Sequence, residues 1–279
     1  MPSAGCALTV DVEEWFHICG VGGALAPDRW PTLPSRVVAN TETLLDMLDR
    51  HRVRATFFVL GCVADRFPTL IEAIRAGGHE IGSHGHLHTR VYEMTPESFG
   101  VDLDRSLAAL AAAGAPPVTS FRAPEWSIND RSLWALGVLA ARGFRVDSSM
   151  APLKIVGNPA YTHAIHRRAT SAGAIVECPP MVSRRFGQNV PGGGGWGLRM
   201  RAPAATLREL DARARAGRPS ILWVHPWEID EDPPRVRLPR AKWFAHYFRL
   251  SGFRARLDTI LRDGTFVPLG ALVGEAGLG

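Results

Sequence analysis

The chain has 279 residues, 46% hydrophobic and 21% charged, enough to bury a large core and far from the composition of a disordered segment. Its net charge of +5 is carried almost wholly by arginine, since Lys154 and Lys242 are the only lysines. The basic residues are scattered, not striped, which argues against a nucleic-acid partner and leaves a modest pull toward anionic ones such as acidic glycans or lipid-linked sugars.

No apolar run reaches the roughly 18 to 20 residues of a membrane span, and the N-terminus lacks the basic-then-apolar layout of a secretory signal. The expectation is a chain without a transmembrane segment, kept in the cytoplasm. Cys6, Cys19, Cys62 and Cys178 show no C-x-x-C pairing and are expected to be free, partly buried thiols.

In chain order, residues 6–13 form an apolar run that ends in acids, as a sheet strand does when its C-terminal end carries function. A Gly- and Pro-containing loop follows to about residue 34, long enough to form a rim. Leu44, Leu45 and Leu48 give residues 40–52 helical spacing. Residues 55–61 read as a buried strand, 67–76 as a helix stopped by Gly77-Gly78, and 79–83 as a third strand. Helices are expected at about 95–113, 130–142 and 251–262, with strand ends at Phe121-Arg122, Val146-Asp147 and Val224-His225. Strands alternating with helices imply parallel strands with crossover helices, hence an α/β fold. The run Pro191–Arg199 contains four consecutive glycines but lacks the Gly-Lys-Ser/Thr ending of a phosphate cradle. It is expected to be a flexible loop carrying Trp196 and Arg199 toward substrate.

The chemistry concentrates in two stretches. Ser83-His84-Gly85-His86-Leu87-His88 places three histidines in five residues at the end of a strand, a spacing that suggests a metal. Far upstream, Asp11 and Glu13 lie two apart at the end of another strand and so point the same way. Two imidazoles and one carboxylate make a catalytic metal set, because such a set leaves positions open for water and substrate. Glu14 remains an alternative to Glu13, and His86 to either neighbouring histidine.

Taken together and in this order, these motifs resemble the polysaccharide deacetylases with the NodB homology domain, the fourth carbohydrate esterase family. The resemblance covers roughly residues 5–230 and extends to the branch found in exopolysaccharide gene clusters of bacteria with an exosortase system. It implies a distorted (β/α) barrel of about seven parallel strands over residues 1–230, with residues 231–279 a C-terminal extension packed on the same domain. It further implies Asp11 as catalytic base and Glu13, His84 and His88 as ligands of a divalent metal, zinc first, with cobalt or nickel as alternatives. Arg122 would orient the base, and His225 would be the general acid. Val12 stands where the family usually has a second aspartate, which shifts the carboxylate ligand to Glu13. The fourth motif is also degenerate: Asp147 remains available to hold His225, but the usual neighbouring tryptophan is missing. Trp126, Trp196 and Trp227 are candidates for stacking on sugar rings, and His17 lies beside the site without an assigned role.

The implied reaction is hydrolysis of an acetamido group on a polysaccharide, or on a glycan or lipid-linked precursor, in exopolysaccharide biosynthesis. Two other readings stay open at this level: a hydrolase of small cyclic amides or imides on the same barrel, and a non-catalytic glycan-binding module.

Overall fold

The computed structural model describes residues 5–278; residues 1–4 and 279 of the expected domain spans lie outside the described residues. Its strands are β1 (Cys6–Val12), β2 (Thr56–Val59), β3 (Glu80–Ser83), β4 (Ser120–Phe121), β5 (Val146–Asp147), β6 (His166–Thr170), β7 (Gly173–Glu177), β8 (Val182–Arg185), β9 (Gln188–Pro191) and β10 (Ser220–Val224). The helices are α1 (Val37–Arg50), α2 (Gly61–Arg66), α3 (Pro68–Ala76), α4 (Pro96–Ala112), α5 (Ala135–Ala141), α6 (Gly195–Met200), α7 (Pro203–Arg215), α8 (Arg240–Tyr247), α9 (Phe253–Asp263) and α10 (Leu269–Glu275).

Eight strands form one curled sheet in the order β10-β1-β2-β3-β4-β5-β7-β6. The first seven in that order are parallel, and β6 closes the edge as an antiparallel partner of β7. The expected seven-strand parallel barrel is therefore present in distorted form. Irregular backbone spans the gap between β7 and β10: Met181 N donates to Ile221 O at 3.0 Å, and Trp223 N donates to Gly193 O at 2.8 Å.

Strand alternation sorts β1 into two faces. Cys6, Leu8, Val10 and Val12 point outward and join Leu44, Leu48, Ile71, Phe253 and Leu257 of the surrounding helices in the largest core cluster. Ala7 points inward with Phe58, Val146, Val176 and Ile221, where Leu269, Leu272 and Val273 of α10 fill the N-terminal end of the barrel. Above this apolar floor lies Arg122, fully buried with its guanidinium 4.4 Å from the Phe58 ring centroid. The C-terminal strand ends rise above Arg122, so catalytic side chains can only open in that direction.

Several segments that the sequence left unassigned are regular. The β6–β7 and β8–β9 hairpins, α7 and α8 belong to this group, and so does α6, formed directly from the glycine-rich run that was expected to be a flexible loop. The reason is close packing. A Cβ on Gly194 would come within 1.7 Å of the Trp223 ring, and one on Gly195 within 1.8 Å of the Glu228 carboxylate. The glycines let backbone press against the underside of the site.

Candidate active site

Asp11, Glu13, His84, His88 and His225 converge on one cavity of about 540 Å³ at the C-terminal edge of the sheet. Asp11 is the inward residue after Thr9 on β1, and Glu13 follows it on the same side. Arg122, delivered by β4, holds this row from below. Its Nη1 donates to Asp11 Oδ1 at 2.8 Å and to Thr9 Oγ1 at 2.7 Å, and its other nitrogens reach Ser148 O and Oγ at 3.2 and 2.9 Å. A charged, multiply donating guanidinium fixes a carboxylate more firmly than a neutral donor would.

His84 and His88 leave the end of β3 in a tight loop. Asp102 on α4 accepts from His86 N at 2.8 Å and Leu87 N at 3.3 Å, clamping that loop from outside. His88 takes a left-handed backbone conformation, φ 51°, which costs a non-glycine residue on the order of 1 kcal/mol and is held by the Cys19 thiol, 3.2 Å from His88 O. Cys19 Sγ also lies 3.3 Å from His88 Nδ1. His84 Nδ1 donates to Arg122 O at 2.7 Å, which leaves Nε2 as the ring's free lone pair facing Glu13.

Glu13 Oε2 stands 2.6 Å from His88 Nε2 and 3.9 Å from His84 Nε2, while Trp227 Nε1 donates to its other oxygen at 3.0 Å. The three donor atoms lie within 4.8 Å of one another and all three residues are buried. The set suits a divalent cation: a carboxylate and two imidazoles, one with its tautomer fixed by a backbone carbonyl. Burial alone would raise Glu13, but His88, His225 and His84 outweigh it and hold the carboxyl well below its ordinary range. Burial lowers His84 to about 4, so it is neutral, as a ligand must be. Glu14 belongs to a different environment. It accepts from the Ser35 hydroxyl and from Arg36 N at 3.0 Å, outside the cluster. His86 likewise turns away, 3.9 Å from Asp65.

His225 faces the row from β10, with Nε2 4.0 Å from Asp11 Oδ2 and 3.6 Å from Glu13 Oε1. Glu228, three residues on, accepts from both His225 N and Nδ1, at 3.1 and 3.0 Å. Burial opposes a charged imidazole here, yet Glu228, Glu13 and Asp11 more than offset it and lift His225 to about 9.

Three sequence expectations need correction. Asp147 does not hold His225: it is buried beside Glu177 and accepts from the Ser149 hydroxyl at 2.5 Å, and Glu228 takes the role. Arg199 does not reach toward substrate. It is buried and donates to the carbonyls of Ala245, His246 and Phe248, at 2.5, 3.1 and 2.7 Å, with Nε 3.3 Å from Glu228 Oε1. Trp227 lines the cavity but is buried and committed to other partners, with His225 and His246 stacked on it at 5.1 and 4.0 Å and its Nε1 held by Glu13. Trp126 and Trp196 do line the cavity, and His17 lines it too, stacked 5.9 Å from His88 with burial lowering it to about 3.

Sequence reasoning missed Glu228, Asp102 and Cys19. Only Glu228 carried a signal, the three-residue spacing of a capping box after His225.

Fold and site together define a class: a parallel α/β barrel whose strand ends carry two imidazoles and a carboxylate placed to hold one cation beside an acid–base pair. Residues 28–144 match the family model for polysaccharide deacetylase, and residues 148–273 match a domain of unknown function, DUF3473. Over residues 28–144 the chain is thus similar to the polysaccharide deacetylase family. A crystal structure from Mycobacterium smegmatis, assigned to polysaccharide deacetylases, shares the fold with a TM-score of 0.66, 22% identity and coverage of 99% of this chain and 91% of that one. Peptidoglycan deacetylase PdaC of Bacillus subtilis has a TM-score of 0.51 at 14% identity, covering 98% of this chain and 91% of its own. Among curated relatives, a peptidoglycan-N-acetylglucosamine deacetylase of Bacillus cereus is 37% identical over 59 residues, 21% of this chain and 22% of that protein. Chitin deacetylase 1 of Saccharomyces cerevisiae is 35% identical over 91 residues, 33% of this chain and 29% of that protein.

Proposed function

We propose that the chain is a metal-dependent deacetylase that hydrolyses N-acetyl groups on a polysaccharide or its glycan precursor, and that zinc is its native metal. The observation that carries this reading is the convergence of an Arg-anchored carboxylate, a Glu-His-His donor set and a carboxylate-held histidine at one cavity. A role in exopolysaccharide biosynthesis is part of the same proposal.

A divalent cation held by Glu13, His84 and His88 would polarise the acetyl carbonyl and acidify the attacking water. Asp11, oriented by Arg122, takes the proton as that water attacks the carbonyl carbon. His225, protonated at neutral pH and held by Glu228, gives its Nε2 proton to the departing amine. That transfer matters because an unprotonated amide nitrogen is a very poor leaving group. Trp126 and Trp196 supply apolar walls on which a pyranose ring packs.

Acetate release from a panel of N-acetylated sugars, oligosaccharides and lipid-linked saccharides tests the reading, using metal-stripped protein and protein reloaded with zinc, cobalt or nickel. Release is expected only with metal, and Asp11→Asn is expected to lower it by about 10² to 10⁴. Turnover that survives metal removal or that substitution would refute the assignment.

A further inference from the structure

The most protruding apolar side chains lie on segments that reach the catalytic cavity. Among the described residues, Ile155 is 95% exposed and Phe186 fully so, and the exposed large aromatics are Phe186, Trp243 and Phe244. Ile155 lines the mouth with Trp196 and Lys242, and the Phe244 ring lies 6.3 Å from Trp196. The β8–β9 hairpin, with Phe186 at its tip, starts from the cavity wall at Pro191. Asn189 Nδ2 ties the hairpin to Pro152 O in the Ile155 loop at 2.9 Å.

Single exposed apolar residues are ordinary. Here each one lies on a segment whose charged residues are all basic. Residues 150–160, 182–191 and 235–249 contain eight basic residues and no Asp or Glu: Lys154, Arg184, Arg185, Arg235, Arg237, Arg240, Lys242 and Arg249. Each of these three segments reaches the cavity, through Ile155, Pro191 and Lys242. Protruding Ile, Phe and Trp tips on segments that carry cations and no acid suit an interface that is apolar within and anionic at its surface, which describes a bilayer with acidic headgroups. A soluble polyanion would use the cations but leave the protruding tips in water.

We propose that this rim docks the cavity mouth onto an anionic membrane surface, with Ile155, Phe186, Trp243 and Phe244 entering the headgroup region. Docked in this way, the cavity faces saccharides held at the bilayer; that consequence rests on the deacetylase reading, whereas the docking does not.

The test is co-sedimentation of the full chain with phosphatidylcholine vesicles containing increasing fractions of phosphatidylglycerol, read without turnover. Binding is expected to rise with the anionic fraction and to weaken severalfold between about 0.1 and about 0.5 M salt. F186S/W243S is expected to lower partitioning about tenfold, and R184S/R185S about fivefold per charge. Both variants should keep the circular dichroism spectrum and the turnover of a soluble substrate. Equal binding to neutral and anionic vesicles, indifference to both variants, or retention on an acidic glycan without vesicle binding would overturn the proposal. Asp11→Asn should partition like the parent chain, so failure of the deacetylase reading and failure of docking give different results.

Discussion

Glu228 shows how much of this site depends on a buried carboxylate behind His225. It is buried, fixes His225 Nδ1 and faces Arg199, so one carboxylate sets both the orientation and the charge of the proposed acid. Glu228→Gln keeps the shape but removes that charge. It is expected to lower kcat by about 10² while the chain still takes up one equivalent of zinc, a pair of results that calorimetry and a rate assay separate. Asp147 acts differently. Burial raises both Asp147, to about 6, and its neighbour Glu177, so the folded state favours a protonated pair. A carboxyl raised on folding contributes stability below its unfolded pKa and loses it as pH rises through the folded value. The melting temperature should therefore fall as pH rises from about 4 through about 6, and Glu177→Gln should flatten the fall by donating to Asp147 without a charge.

Elements were legible where periodicity and apolar runs were strong. The strand at residues 6–13 with paired acids at its end, the helix capped by Thr95 and the histidine loop after β3 all stand close to where the sequence put them. Glu13 was distinguishable from Glu14 only through alternation along β1. The glycine-rich run misled because its reason is tertiary: the glycines serve Trp223 and the Glu228 carboxylate, both distant in sequence. Arg199 misled for the same cause, since a lone arginine on a loop shows nothing of the three carbonyls that enclose it. Gly195→Ala is the corresponding test. The added methyl must displace the Glu228 carboxylate, so it should destabilise the chain by about 1 to 3 kcal/mol in urea titration and lower turnover as well.

At the scale of the molecule, the C-terminal part completes the barrel from both ends. α10 seals the floor with Leu269, Leu272 and Val273, and Leu272→Ala should cost about 2 to 5 kcal/mol, read as a drop in the unfolding midpoint. At the other end, α8 lines the cavity through Lys242 and His246, and its carbonyls receive Arg199. The two family models meet between residues 144 and 148, yet the active constellation straddles that seam. Asp11, Glu13, His84, His88 and Arg122 come before it; His225, Glu228 and Arg199 come after. Neither stretch can be inherited alone as a working catalyst, so recombination at the seam between diverged relatives would join two half-centres whose buried charges no longer answer each other.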